Sequence, residues 1–121
     1  EFLIKNNREV IINCSQAIIA IHKNDLGSAK LKIRKAKLLL TKLKQKATGD
    51  LSRYILTPEQ ELVEAIALLS IIEGKQIPSY KSINVSGESY ILGFCTMCHQ
   101  KHYSCSMDIS GSGMYFITST C

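Results

Sequence analysis

Glu61 and Glu64 stand three residues apart, a spacing that places two carboxylates on one side of a helix. Around them run Leu62, Val63, Ala65, Ile66, Ala67, Leu68, Leu69, Ile71 and Ile72, so the helix that carries them is apolar on nearly every face and is expected to be enclosed. An enclosed carboxylate is costly unless it is paired, hydrated in a groove or bound to a metal. Two readings follow. In the first, the acids pair with cations of a neighbouring helix or line an interface. In the second, they form half of a site for phosphodiester hydrolysis, because Mg²⁺ takes one or two carboxylates together with water and substrate phosphates.

A second constellation is cationic. Lys30, Lys32, Arg34, Lys35, Lys37, Lys42, Lys44 and Lys46 crowd one segment with no acid among them, about half of all the positive side chains in the chain. Each Lys or Arg set beside a phosphate releases counterions and adds salt-dependent affinity, so this segment is a candidate phosphate-binding surface; the competing reading is a solvated helix face. No aromatic residue lies between Lys30 and Lys46. Binding here is therefore expected to address a sugar-phosphate backbone rather than to stack bases.

The third constellation is Cys95, Cys98, His102 and Cys105, with the spacing Cys-x-x-Cys-x-x-x-His-x-x-Cys. Thiolate and imidazole donors at such intervals can hold zinc, and short zinc modules bind single-stranded nucleic acid. Coincidence in a cysteine-rich tail is the favoured reading, so zinc is not expected. His22 falls at the end of a helix, where a cation suits the dipole, and reads as a cap rather than a ligand.

The elements that position these groups follow from periodicity. From Phe2 to Lys23, Ile4, Ile11, Cys14, Ile18 and Ile21 recur at helical steps and are expected to form one buried face. Asn24-Asp25-Leu26-Gly27-Ser28 supplies a turn and a side-chain cap, making a helical hairpin. In the second helix Leu26, Ala29, Ile33, Ala36, Leu40 and Leu43 form a heptad-like seam, and Gly49 suits the left-handed turn beyond it. For the third helix Thr57 is the expected cap, Pro58 the first helical residue and Gln60 the capping-box partner, with Gly74 as the stop. Lys75 to Glu88 reads as a loop with a short helical turn, and a fourth helix begins near Ser86 to Glu88 and carries Tyr90-Ile91-Leu92-Gly93-Phe94. Beyond about residue 95 the helical stripe fades and the tail is expected to be irregular.

Length and composition bound the whole. The 121 residues suffice for one cored domain and are too few for two. Hydrophobic residues at 45% and charged residues at 21% describe a globular chain, with a net charge of +5. No apolar run approaches the roughly 20 residues needed to span a bilayer, so no membrane partner is expected. The chain opens at Glu1-Phe2-Leu3-Ile4 without a basic leader, and its five cysteines are an odd set, which together point to a reducing, cytoplasmic setting.

The stretch from Arg8 to Phe94 resembles the translin family, especially its archaeal members and translin-associated factor X. The resemblance is carried by Arg8-Glu9-Val10, Ser15-x-Ala17-Ile18, Ala20-Ile21-His22, the turn at Asp25, Thr57-Pro58-Glu59-Gln60-Glu61-Leu62-Val63-Glu64-Ala65, Gly74 with Pro78, Val85, and Tyr90-Ile91-Leu92-Gly93-Phe94. It implies an all-α, antiparallel helical bundle over residues 1–94, corresponding to part of a family domain, followed by a divergent tail over 95–121. It also implies assembly into homo-oligomers, or hetero-oligomers with translin-like subunits, that hold single-stranded RNA or DNA on basic inner surfaces. In catalytic members it implies a Mg²⁺-dependent endoribonuclease built from several acids. Glu61 and Glu64 match two of these; the positions of two others are held by Thr96 and Gln100. An incomplete nuclease site is the expectation, with activity requiring intact acids or a partner subunit. The codons of Thr96 to Lys101, read from the third base of the first codon, permit Asp-Val-Ser-Ser-Glu, so a shifted reading frame is one expected origin of the residues after about Cys95.

Overall fold

The computed structural model describes the backbone of residues 2–47, 49–101, 103–107 and 115–119, and their side chains through residue 100 apart from 50–52. The fold is all-α: α1 (Phe2–His22), α2 (Leu26–Lys46), α3 (Leu56–Ile72), the short α4 (Tyr80–Ile83) and α5 (Gly87–Lys101). A 3₁₀ segment, Gly49–Ile55, joins α2 to α3. After α5 two strands, β1 (Tyr103–Met107) and β2 (Tyr115–Ser119), pair antiparallel with Tyr103 opposite Ser119 and Met107 opposite Tyr115. The tail expected to be irregular from about residue 95 is instead helical to Lys101 and then a hairpin. Helix α5 continues past Phe94 because Met97 and Cys98 keep its buried stripe going for another turn.

Helices α1 and α2 turn on three residues, with Asn24 at φ 62° and the Asp25 carboxylate accepting from the Ser28 backbone N–H at 3.2 Å. That contact satisfies one of the orphan donors at the start of α2. The buried seam of α2 is Ala29, Ile33, Ala36, Leu40 and Leu43, as the heptad spacing predicts. The α1 seam differs from expectation in its first half. Val10, Cys14, Ala17 and Ile21 are enclosed, whereas Ile4 is 63% exposed. Isoleucine weighs more than valine or alanine in a hydropathy pattern, but the face turned to α2 and α3 needs small residues for close approach, and Val10 and Ala17 provide them.

The start of α3 also differs. The helix begins at Leu56, its N-cap is Ile55, and no side chain caps it. Thr57, exposed, lies inside the first turn, and the preceding 3₁₀ segment feeds the helix directly, so neither Thr57 nor Gln60 makes a capping box. Pro58 is tolerated there because first-turn N–H groups have no intrahelical partner. Gly74, at φ +70°, ends the helix as expected.

Two ion pairs set α3 against α2. Lys44 Nζ lies 2.7 Å from Glu59 Oε2, and Lys30 Nζ lies 2.7 Å from Glu73 Oε2. Fourteen residues separate the members on each helix, about 21 Å of helix rise, so the pairs close both ends of an antiparallel contact. Helix α5 then advances along α3 in the same sense, with Ser89 meeting Glu59 and Gly93 meeting Gln60 and Val63. Tyr90 anchors the connecting loop: its hydroxyl donates to the Pro78 carbonyl, its ring stacks with Phe94, and Tyr80 meets it edge-on.

Candidate functional site

Helix α3 places Glu61 and Glu64 within electrostatic reach of α1. Both carboxylates act on the Cys14 thiol, which is fully buried on α1; burial first, then the charges of Glu61 and Glu64, push that thiol up to about 12. Cys14 is therefore held as a protonated thiol in the core. Glu64 is 7% exposed, while Glu61 sits at the rim. The acids of α3 that do pair with α2 are Glu59 and Glu73, which sequence spacing alone did not single out. The Lys30 hydrogen bond holds the Glu73 carboxyl below the usual carboxylate range.

Burial raises the Glu61 carboxyl above its ordinary value of 4.5. A carboxyl raised on folding binds a proton more tightly in the native state. Its stabilising contribution is complete below the unfolded value and disappears as pH climbs through the folded one. Glu61→Gln is therefore expected to flatten the pH dependence of the urea midpoint in the window opening near 4.5 and to leave the protein more stable at neutral pH. An unchanged profile would place Glu61 in water.

For a divalent metal, the donor set is short. Among the described residues no group of three or more His, Cys, Asp or Glu side chains converges. Thr96, with its hydroxyl donating to the Leu92 carbonyl at 2.8 Å, and exposed Gln100 occupy α5 one and two turns beyond Gly93. Both offer neutral oxygens, weaker ligands for a hard cation than carboxylates. Of the cysteine and histidine run, Cys95 is exposed and free and Cys98 is disulfide-bonded, so Cys98 has no thiolate to offer zinc; the side chains of His102 and Cys105 lie outside the described residues. His22 is exposed in the last turn of α1.

The cationic helix divides by face. Lys44 is 28% exposed and donates both to Glu59 and to the Asn84 carbonyl, which makes it a strut between α2, α3 and the α4 turn. Lys30 is engaged by Glu73 at the opposite end. Lys32, Arg34, Lys35, Lys37, Lys42 and Lys46 make no ion pair among the described residues, and all but half-buried Lys32 are exposed. The structure thus keeps five exposed cations, with half-buried Lys32 as a sixth, along four turns of one helix.

Apolar side chains also remain exposed. Ile4, Ile12 and Ile19 lie along the outer face of α1, and a groove of about 550 Å³ is lined there by Leu3, Ile4, Ile11, Ile12 and Tyr54. Among the described residues no helix is long and apolar enough to cross a membrane.

The chain is 36% identical over 96 residues to an uncharacterized protein of the archaeon Methanocaldococcus jannaschii, a match that covers 77% of this chain and 43% of the relative. The chain therefore spans less than half the length of that relative. No family model and no solved structure matches the chain.

Proposed function

We propose that the chain is a single-stranded RNA- or DNA-binding subunit of translin type with an incomplete nuclease site. The observation that carries this reading is the set of exposed cations on α2 that make no ion pair among the described residues and are uninterrupted by acids. A phosphate backbone is the ligand chemistry such a row favours, since it carries no aromatic platform for bases. Assembly with further translin-like subunits, identical or not, accounts for the uncovered apolar face of α1, because contiguous exposed patches of this kind mark interaction surfaces. Mg²⁺-dependent endoribonuclease activity of the translin-associated factor X type belongs, on this reading, to assemblies whose other subunits supply the acids that Thr96 and Gln100 replace.

The test is fluorescence anisotropy of a labelled single strand at about 50 and about 200 mM salt, where several phosphate contacts together weaken binding on the order of 10²- to 10³-fold. Reversing Lys35, Lys42 and Lys46 to Glu is expected to abolish binding at the higher salt and to shorten the salt slope. An affinity that ignores salt would transfer this face to a protein partner and sink the nucleic-acid reading.

A further inference from the structure

On the α3-facing flank of α2 lies a small pocket of about 140 Å³, closed on its far side by the α4 turn. Its floor is apolar, from Leu62 and Ile83, and its walls carry Lys37, Lys44, Ser82 and Asn84; no acid lines it. The turn is shaped by Asn84, whose left-handed φ of 65° brings its carbonyl onto the Lys44 ammonium and sets its side chain beside that of Ser82. Lys44 divides two clefts. Its counter-charge Glu59 lines the neighbouring one, where Ser86 and Ser89 also hold the carboxylate.

What remains in the pocket is a set of donors in need of an acceptor. Lys37 makes no ion pair among the described residues, and there neither the Ser82 hydroxyl nor the Asn84 side-chain amide has a protein acceptor. An ammonium, a hydroxyl and an amide carried by three residues that line one small pocket, with no acid among its lining, match the several acceptor oxygens of a tetrahedral anion. Charge-assisted hydrogen bonds of this kind are the strong ones. We propose that this pocket binds a single phosphate group. The proposal gives one phosphate a fixed seat on the surface described above. It rests on the nucleic-acid reading for the natural source of the group, an internal phosphodiester or a strand's terminal phosphomonoester, but not for binding of the group itself.

The experiment is an amide chemical-shift titration of the full chain with inorganic phosphate, ionic strength being held constant with chloride. Saturable shifts are expected at Ser82, Ile83 and Asn84, and loss of a charge-assisted contact in Lys37→Ala or Ser82→Ala should weaken them roughly tenfold. Both positions are exposed, so the fold survives the substitutions and the rest of the spectrum reports it. Lys35→Ala, elsewhere around the helix, should change nothing here. Shifts that never saturate, or that are indifferent to Lys37→Ala and Ser82→Ala, overturn the pocket. In the second arm, single strands with and without a 5′-phosphate compete against inorganic phosphate: preference for the phosphorylated strand supports the pocket with an end as its source, and equal displacement supports it with an internal phosphate. Phosphate saturation with no displacement by any strand that still binds supports the pocket for a free phosphate and overturns a nucleic acid as its source; no displacement together with no strand binding removes the nucleic-acid function. Salt-dependent strand binding without phosphate saturation overturns the pocket and leaves that function standing.

Discussion

Gly93→Val is expected to destabilise the protein by about 3 kcal/mol, the upper part of the usual overpacking range. A Cβ at this position would lie 2.6 Å from the Gln60 carbonyl oxygen, 3.2 Å from the Gln60 Cα and 2.9 Å from the Val63 Cβ. Two of those neighbours are backbone atoms of α3, which no rotamer change moves aside. The helices must separate instead, and separation strips contacts from Phe94, Met97 and Val63, all of which are almost completely enclosed. Gly93→Ala carries the smaller version of the same cost and has a diagnostic sign. In a helix with open surroundings, Gly to Ala stabilises by about 1 kcal/mol; across this contact it should destabilise by about 2 kcal/mol. Urea denaturation followed by far-ultraviolet circular dichroism distinguishes the two. A gain in stability for the alanine variant would mean that α5 does not lie on α3 as described.

Gly93 also shows where sequence reasoning stops. The string Tyr90-Ile91-Leu92-Gly93-Phe94 was noticeable as a pattern, but nothing in it says that the glycine is a contact point, because the clashing atoms lie thirty or more residues away on another helix. Local signals are legible: the Asp25 cap, the left-handed Gly49 beyond α2, the Gly74 stop and the α2 seam all depend on neighbours in sequence, although α2 itself ends earlier, on Ala47. The errors share a cause. Ile4 looked like core because it is apolar at a helical step, yet which stripe faces inward is decided by the partner helix, and on α1 the small residues won. Thr57 looked like a cap because the 3₁₀ segment before it, Gly49–Ile55, leaves no periodic trace in composition. In the candidate site, the cations were visible as a run, but their division into struts and free charges was not. Lys30 and Lys44 differ from Lys37 only in the presence of Glu73 and Glu59 across the groove, fourteen residues apart on α3.

That division matters for function. A lysine already paired with a carboxylate offers little net charge to a phosphate, so the electrostatic surface of α2 is set by Lys32, Arg34, Lys35, Lys37, Lys42 and Lys46. On the proposed nucleic-acid reading the paired lysines contribute indirectly: by clamping both ends of α2 to α3 they hold the free cations at fixed spacing, which would limit the ordering cost of binding an anionic chain.

Glu59→Ala should therefore be the most damaging of the charge deletions, at about 2–3 kcal/mol, somewhat below the cost of breaking a fully buried pair. Glu59 is 5% exposed and accepts from the Ser89 hydroxyl at 2.7 Å and the Ser86 hydroxyl at 3.3 Å while pairing with Lys44 at 2.7 Å. Its removal leaves the Ser89 hydroxyl, with its residue fully buried, to rely on Ser86 alone, and deprives the start of α5 of a negative charge where the helix dipole favours one. Lys44, being 28% exposed, can turn to water, which is why the loss stays below the fully buried value. Glu59→Gln keeps an acceptor for Ser89 and should lose less than the alanine variant. Lys44→Met should cost nearly as much as the alanine variant, since it leaves an enclosed carboxylate with two serine donors and no counter-charge. A double-mutant cycle between positions 44 and 59 separates the ion pair from the serine contacts: a coupling near zero, with Glu59→Ala as stable as the parent, would show that the three helices are not joined at this point.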